Sequence, residues 1–124
     1  LEVTISNIKN FNRTNAHYSN LYYGASLKSY IKLMNKKGYY FLGVNRLRNN
    51  AFFINEDFPK LEFFSNIHEL DLNKCTKSNF SESRNANGEL NYLTKEDGIN
   101  EIKECEVVDL TSNENSLFKI KNLI

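Results

Sequence analysis

Cysteine is scarce in this chain: there are two, Cys75 and Cys105, thirty residues apart and with no CxxC pairing. A zinc site takes about four suitably spaced ligands, so these two do not make one, and free, reduced thiols are expected. Glycine is also sparse, at five residues, and no GxGxxG or comparable Gly-rich turn is present. That leaves no loop able to cradle a dinucleotide or nucleotide phosphate. No apolar run approaches the roughly 18 residues of a membrane span, and no secretory leader pattern appears. A surplus of one charge sign is lacking too. The formal net charge is +1, which gives no electrostatic reason to expect nucleic acid as a partner. HExxH, GxSxG and Walker patterns are missing, and no carboxylate pair stands out from the surface charge.

What is present is ordinary soluble-protein material: 40% hydrophobic and 25% charged residues over 124 positions, enough for one modest core. Asn is abundant and Lys outnumbers Arg twelve to four. Both suit an AT-rich coding background, so single Asn and Lys residues carry little functional weight. A cytoplasmic location is expected. The chain opens on Leu1 rather than methionine, which gives the expectation that the natural start lies upstream.

The clearest local pattern is Leu27, Tyr30, Ile31 and Met34 at i, i+3, i+4, i+7, with Leu33 widening the stripe. It predicts an amphipathic helix, with Ser26 as N-cap, Lys36 and Lys37 in the last turn, and Gly38 as the left-handed residue beyond it. Tyr39 to Val44 and Ala51 to Ile54 are short, almost unbroken apolar runs around a polar turn, which predicts a hairpin. Runs without alternation belong to strands covered on both faces. Two strands alone are not stable, and one helix covers one face, so a larger sheet is expected beside them. Phe58-Pro59 ends the hairpin.

Elsewhere, Leu1, Val3 and Ile5 alternate with polar residues as a short strand, and residues 6–20 read as a polar loop. Leu61 to Leu70 suggests a short helix carrying His68, Leu72 to Ala86 a long surface loop, and Asn87-Gly88 a turn. Glu89 to Leu93 suggests a brief strand. Thr94-x-x-Asp97 resembles a capping box before Ile99 and Ile102, and Val107 to Leu110 a last strand ahead of an Asn- and Lys-rich tail.

The order Tyr22-Tyr23-Gly24-Ala25-Ser26-Leu27-Lys28, then Lys37-Gly38-Tyr39, Gly43-Val44-Asn45 and Asn50-Ala51-Phe52-Phe53 resembles the C-terminal half of bacterial FkbM-type S-adenosylmethionine-dependent methyltransferase-like proteins. Ser81-Glu82-Ser83-Arg84, Asn87-Gly88, Leu93 and the ending around Val107 extend the likeness, from about His17 to Asp109. Such proteins are common in surface-polysaccharide gene neighbourhoods. The resemblance implies an α/β fold in which residues 1–59 are the C-terminal part of a Rossmann-like methyltransferase sheet, a helix plus terminal hairpin. Residues 60–124 would be a family-specific, loop-rich α+β extension.

It further implies that S-adenosylmethionine is bound by the N-terminal half of the domain, the partner missing from this chain. No cofactor or metal ligand is expected here, and the chain alone is expected to be inactive. The acceptor would be a hydroxyl of a glycan or nucleotide-linked sugar. The alternative is a non-catalytic binding or assembly module, and self-association is compatible with either.

Loops at the carboxyl ends of strands carry function in open α/β sheets. His17 in such a loop is a candidate general base, against an ordinary structural histidine. Tyr18, Tyr22, Tyr23 and Ser26 are candidate substrate contacts, the tyrosines either packing on the sheet or stacking on a sugar ring. Asn45 is a further candidate beside its simpler role in the hairpin turn, as is Arg84 beside an ion pair with Glu82.

Overall fold

In the computed structural model, residues 1–64, 72–75, 82–111 and 116–124 are described. The chain is mixed α/β, with small antiparallel sheets and few helices. It divides into two compact units, Leu1–Ser26 with Ser81–Ile124, and Leu27–Phe80.

The first unit begins with β1 (Val3–Ile5) and the four-residue helix α1 (Arg13–Ala16). The sequence reads residues 6–20 as loop, but Asn12 caps α1 by accepting the Asn15 N–H (3.0 Å). In the second unit, α2 (Leu27–Lys36) is followed by β2 (Tyr39–Val44) and β3 (Ala51–Asn55), as the periodicity requires. Leu27, Ile31 and Met34 are half-buried, whereas Leu33 is 48% exposed and does not join the stripe. Gly38, at φ +78°, ends the helix in the left-handed region that other residues enter only at a cost.

β2 and β3 pair antiparallel, with the register slipping by one residue between Phe41 and Gly43. The slip is a bulge at Leu42, and Gly43 takes φ +133° there. Asn45 closes the turn through its side chain: Oδ1 accepts from Asn49 N–H (3.1 Å) and Asn50 N–H (3.2 Å), and Nδ2 donates to Asn49 Oδ1 (2.7 Å).

Strand alternation sorts the hairpin into two faces. Phe41 and Phe53 are opposite neighbours on one face, their rings 5.5 Å apart, and Tyr30 of α2 meets Phe53 edge-on at 5.3 Å. Tyr40 and Ile54, also paired, share the other face with Phe52, which is 52% exposed. The helix therefore covers only the Phe41–Phe53 face.

A 3-10 turn (Leu61–Phe64) and the four-residue α3 (Leu72–Cys75) follow. The expected helix of Leu61 to Leu70 is thus a 3-10 turn at its start, and its remainder, with His68, lies outside the described residues. Both cysteines are free.

Back in the first unit, α4 (Lys95–Ile102) starts as its capping box predicts: Thr94 Oγ1 accepts the Asp97 N–H (3.2 Å) and donates to Asp97 Oδ2 (2.6 Å). β4 (Glu106–Asp109) and β5 (Ser116–Lys119) complete a sheet in the order β1-β4-β5. Val3 lies opposite Asp109, so the sheet joins the two ends of the chain. Residues 24–26 continue it on the outer side of β1, through Ile5 N–H to Gly24 O (3.0 Å) and Ser26 N–H to Val3 O (2.8 Å).

Three expectations need correction. The Asn- and Lys-rich tail contains β5, and Glu89 to Leu93 forms only an isolated bridge, Leu90 to Arg84. The stretch read as surface loop up to Ala86 also holds Ser83, which is fully buried.

Candidate functional site

Six of the seven sequence candidates fall in the first unit, while Asn45 lies in the second, where its polar side-chain atoms close the hairpin turn. Within the first unit, α1 and the segment after it set the positions of His17 to Ser26. Asn20 adopts φ +60°, a conformation asparagine tolerates better than most residues, and its carbonyl accepts the Arg13 Nε–H. The same guanidinium lies 4.1 Å over the Tyr23 ring, a contact that contributes about 0.5–1 kcal/mol at an exposed site.

His17 is half-buried and tied to Ser19, which has no exposed surface. Its Nδ1 accepts the Ser19 backbone N–H (3.3 Å) and lies 2.8 Å from Ser19 Oγ. That hydroxyl in turn accepts the Leu21 N–H (3.3 Å). A ring nitrogen taking an N–H is unprotonated, so the network assigns the hydroxyl as donor to Nδ1 and the ring proton to Nε2. As held, His17 carries its ring proton at Nε2. A base at Nε2 uses the other tautomer, with the Ser19 hydroxyl turned to accept from Nδ1.

Tyr18 stacks on His17, with ring centroids 4.6 Å apart and planes at 29°. Its hydroxyl donates to Glu101 Oε2 from α4, and this bond to a carboxylate holds the phenol above its ordinary pKa. Glu101 is a member of the cluster that sequence reasoning missed. The sequence predicts only the helix after the Thr94 capping box, and nothing in the pattern points Glu101 to a partner 83 residues away.

The remaining candidates are occupied differently. Tyr22 is buried at 8% exposure, and its hydroxyl donates to the Glu106 carbonyl. Ser26 Oγ accepts the Val3 N–H at 3.2 Å. Tyr22, Tyr23 and Ser26 border a cleft of about 90 Å³ whose other walls include Ile5, Ile102 and Val107. It is an apolar space. Arg84 donates from Nη1 to the Gly88 carbonyl (2.7 Å) and lies 3.7 Å from Glu82, the ion-pair reading of the sequence. Its backbone N–H reaches Ser19 O at 3.1 Å, which ties the Ser83–Leu93 loop to the His17 segment. Among the described residues, no three His, Cys, Asp or Glu side chains stand close enough to hold a metal ion. No helix among them is long and apolar enough to cross a membrane.

Tyr22 supports a pH prediction. Burial is the main cause raising its phenol above the ordinary 10.0, with the Cys105 and Glu106 charges adding to it and a bond to Ser6 opposing. A pKa raised by folding contributes stability that is complete below the unfolded value and lost as pH rises through the folded one. Stability should therefore fall on the alkaline side of pH 10, and Tyr22→Phe should flatten that limb while losing about 1 kcal/mol at neutral pH with the hydrogen bond. Urea unfolding from pH 8 upward checks it; an unchanged alkaline slope in the variant would rule the account out.

Comparison with family models, with curated proteins and with solved structures returns no match to this chain.

Proposed function

We propose that this chain is the C-terminal portion of an S-adenosylmethionine-dependent methyltransferase-like domain of the FkbM type. The complete protein would transfer a methyl group to a hydroxyl of a glycan or nucleotide-linked sugar, and this portion alone would be inactive. The observation that carries the proposal is the hairpin of β2 and β3. Its Phe41–Phe53 face is covered by α2, while Tyr40, Phe52 and Ile54 line a second apolar face on which Phe52 stays half-exposed. An apolar strand pair with large side chains on both faces suits the margin of a larger layered sheet.

The cofactor does not fit the residues here. Gly24, Gly38 and Gly88 stand singly at positive φ, Gly43 sits at the bulge and Gly98 inside α4, so no Gly-rich strand-to-helix turn exists to hold it. No step is assigned to it in this chain. His17, Tyr18 and Glu101 are the groups proposed to meet the acceptor, with His17 Nε2 directed to its hydroxyl.

The second reading is an assembly module. β5 favours it: among the described residues no strand pairs with its outer edge, and Leu117 on it is 58% exposed. Calorimetric titration of S-adenosylmethionine into this chain, and into the chain extended by its upstream coding sequence, decides between the two. Binding by the extended chain alone is expected. Binding by neither would remove the methyltransferase reading and leave assembly.

A further inference from the structure

Tyr18 is an unusual surface residue in one respect: it is 43% exposed and yet held at both ends. One ring face lies against the His17 imidazole, which is itself fixed by the buried Ser19. The hydroxyl is anchored on Glu101. An exposed tyrosine normally samples several rotamers, and ordering it against a ligand carries an entropic cost. Here that ordering is already present in the free chain.

The ring therefore presents a preset apolar platform beside a carboxylate. Among the described residues, Glu101 Oε1 receives no hydrogen bond while Oε2 takes the Tyr18 hydroxyl. Glu101 itself is exposed. An aromatic plane and an adjoining ionised acceptor complement a ligand with one apolar face and a rim of hydroxyl donors, and a pyranose ring has both. A purely apolar ligand would leave the carboxylate without a partner. An anionic ligand would be repelled by it.

We infer that Tyr18 and Glu101, with His17 behind the ring, form a saccharide-binding site in which the pyranose stacks on Tyr18 and its hydroxyls donate to Glu101. The stacking of the ring on Tyr18 and the donation of its hydroxyls to Glu101 deepen the acceptor site proposed above, and the inference rests on that reading for the ligand's class.

The test needs no cofactor, so its failure is separate from failure of the methyltransferase reading. The 15N-labelled 124-residue chain is titrated with methyl β-D-glucopyranoside, methyl β-D-galactopyranoside and methyl α-D-mannopyranoside, following amide shifts. At least one should bind in the millimolar range and move the amides of His17, Tyr18 and Glu101. Tyr18→Ala, a change at an exposed position, should abolish those shifts while the remaining spectrum stays folded. Tyr18→Phe keeps the platform but loses its anchor on Glu101, and should weaken binding measurably while leaving the shifts that Tyr18→Ala abolishes. Glu101→Gln should weaken binding about tenfold through loss of a charge-assisted bond. Shifts that persist in Tyr18→Ala, or no shifts with any of the three glycosides, would overturn the inference.

Discussion

Phe41→Ala should destabilise the α2–β2–β3 unit by about 3 kcal/mol or more, the usual cost of truncating a buried phenylalanine. Phe41 is 6% exposed and is the one buried hydrophobic side chain of that unit among the described residues. Its ring meets Phe53, which in turn meets Tyr30, so a single truncation removes the centre of the contact between helix and hairpin. No second buried apolar residue among those described is available to close the gap. Urea unfolding followed by far-UV circular dichroism and by tyrosine fluorescence measures the loss. A change below about 1 kcal/mol, typical of a surface substitution, would show that Phe41 is not packed as described.

The second large effect is expected at a polar residue. Ser83→Ala should cost about 2 kcal/mol, because it strands hydrogen-bonding groups rather than opening a cavity. Ser83 has no exposed surface; its hydroxyl donates to Asn91 Oδ1 (2.7 Å) and accepts the Leu93 N–H (2.8 Å). Its carbonyl also accepts the Asn91 N–H (3.1 Å), so the serine holds the 83–93 loop closed from both its side chain and its backbone. Asn91→Ala should cost less, since Asn91 is itself exposed and its partner hydroxyl keeps the Leu93 bond. The double variant should lose less than the sum of the two, the mark of groups that share one interaction. Strict additivity would mean that the Ser83–Asn91 bond contributes nothing in solution.

These two residues mark the boundary of what the sequence makes legible. Phe41 sits in an aromatic run beside a helical stripe; the i, i+3, i+4, i+7 spacing places the helix, and the short unbroken apolar run places the strand. The Thr94 capping box works in the same way, because its bond spans only three residues. Ser83 shows the opposite case. Serine in a polar stretch reads as surface, and its burial depends on Asn91 and Leu93 folding back to satisfy it. The β1-β4-β5 sheet is hidden for a related reason: β1 pairs with a segment from the far end of the chain, and β5 is a short edge strand in an Asn- and Lys-rich tail.

The candidate site follows that division. His17 and Tyr18 are adjacent and can be picked out together, and the stacking of their rings is a local event. Ser19, which sets the imidazole tautomer, and Glu101, which anchors the phenol, are visible only in three dimensions. Asn45 illustrates the converse: an asparagine at a strand end can suggest a ligand contact, yet the hairpin turn uses its side-chain oxygen twice.

The central proposal is that the hairpin of β2 and β3 lies at the margin of a larger layered sheet, with Tyr40, Phe52 and Ile54 as the face that meets a further layer. Amide hydrogen exchange across Tyr39–Val44 and Ala51–Asn55 tests it most directly, compared between the 124-residue chain and the chain extended by its upstream coding sequence. The account predicts fast exchange through local opening in the short chain. In the extended chain it predicts strong protection of these amides, with little change across β1, β4 and β5. Equal protection of the hairpin in both would contradict the account, because the pair would then be complete as it stands.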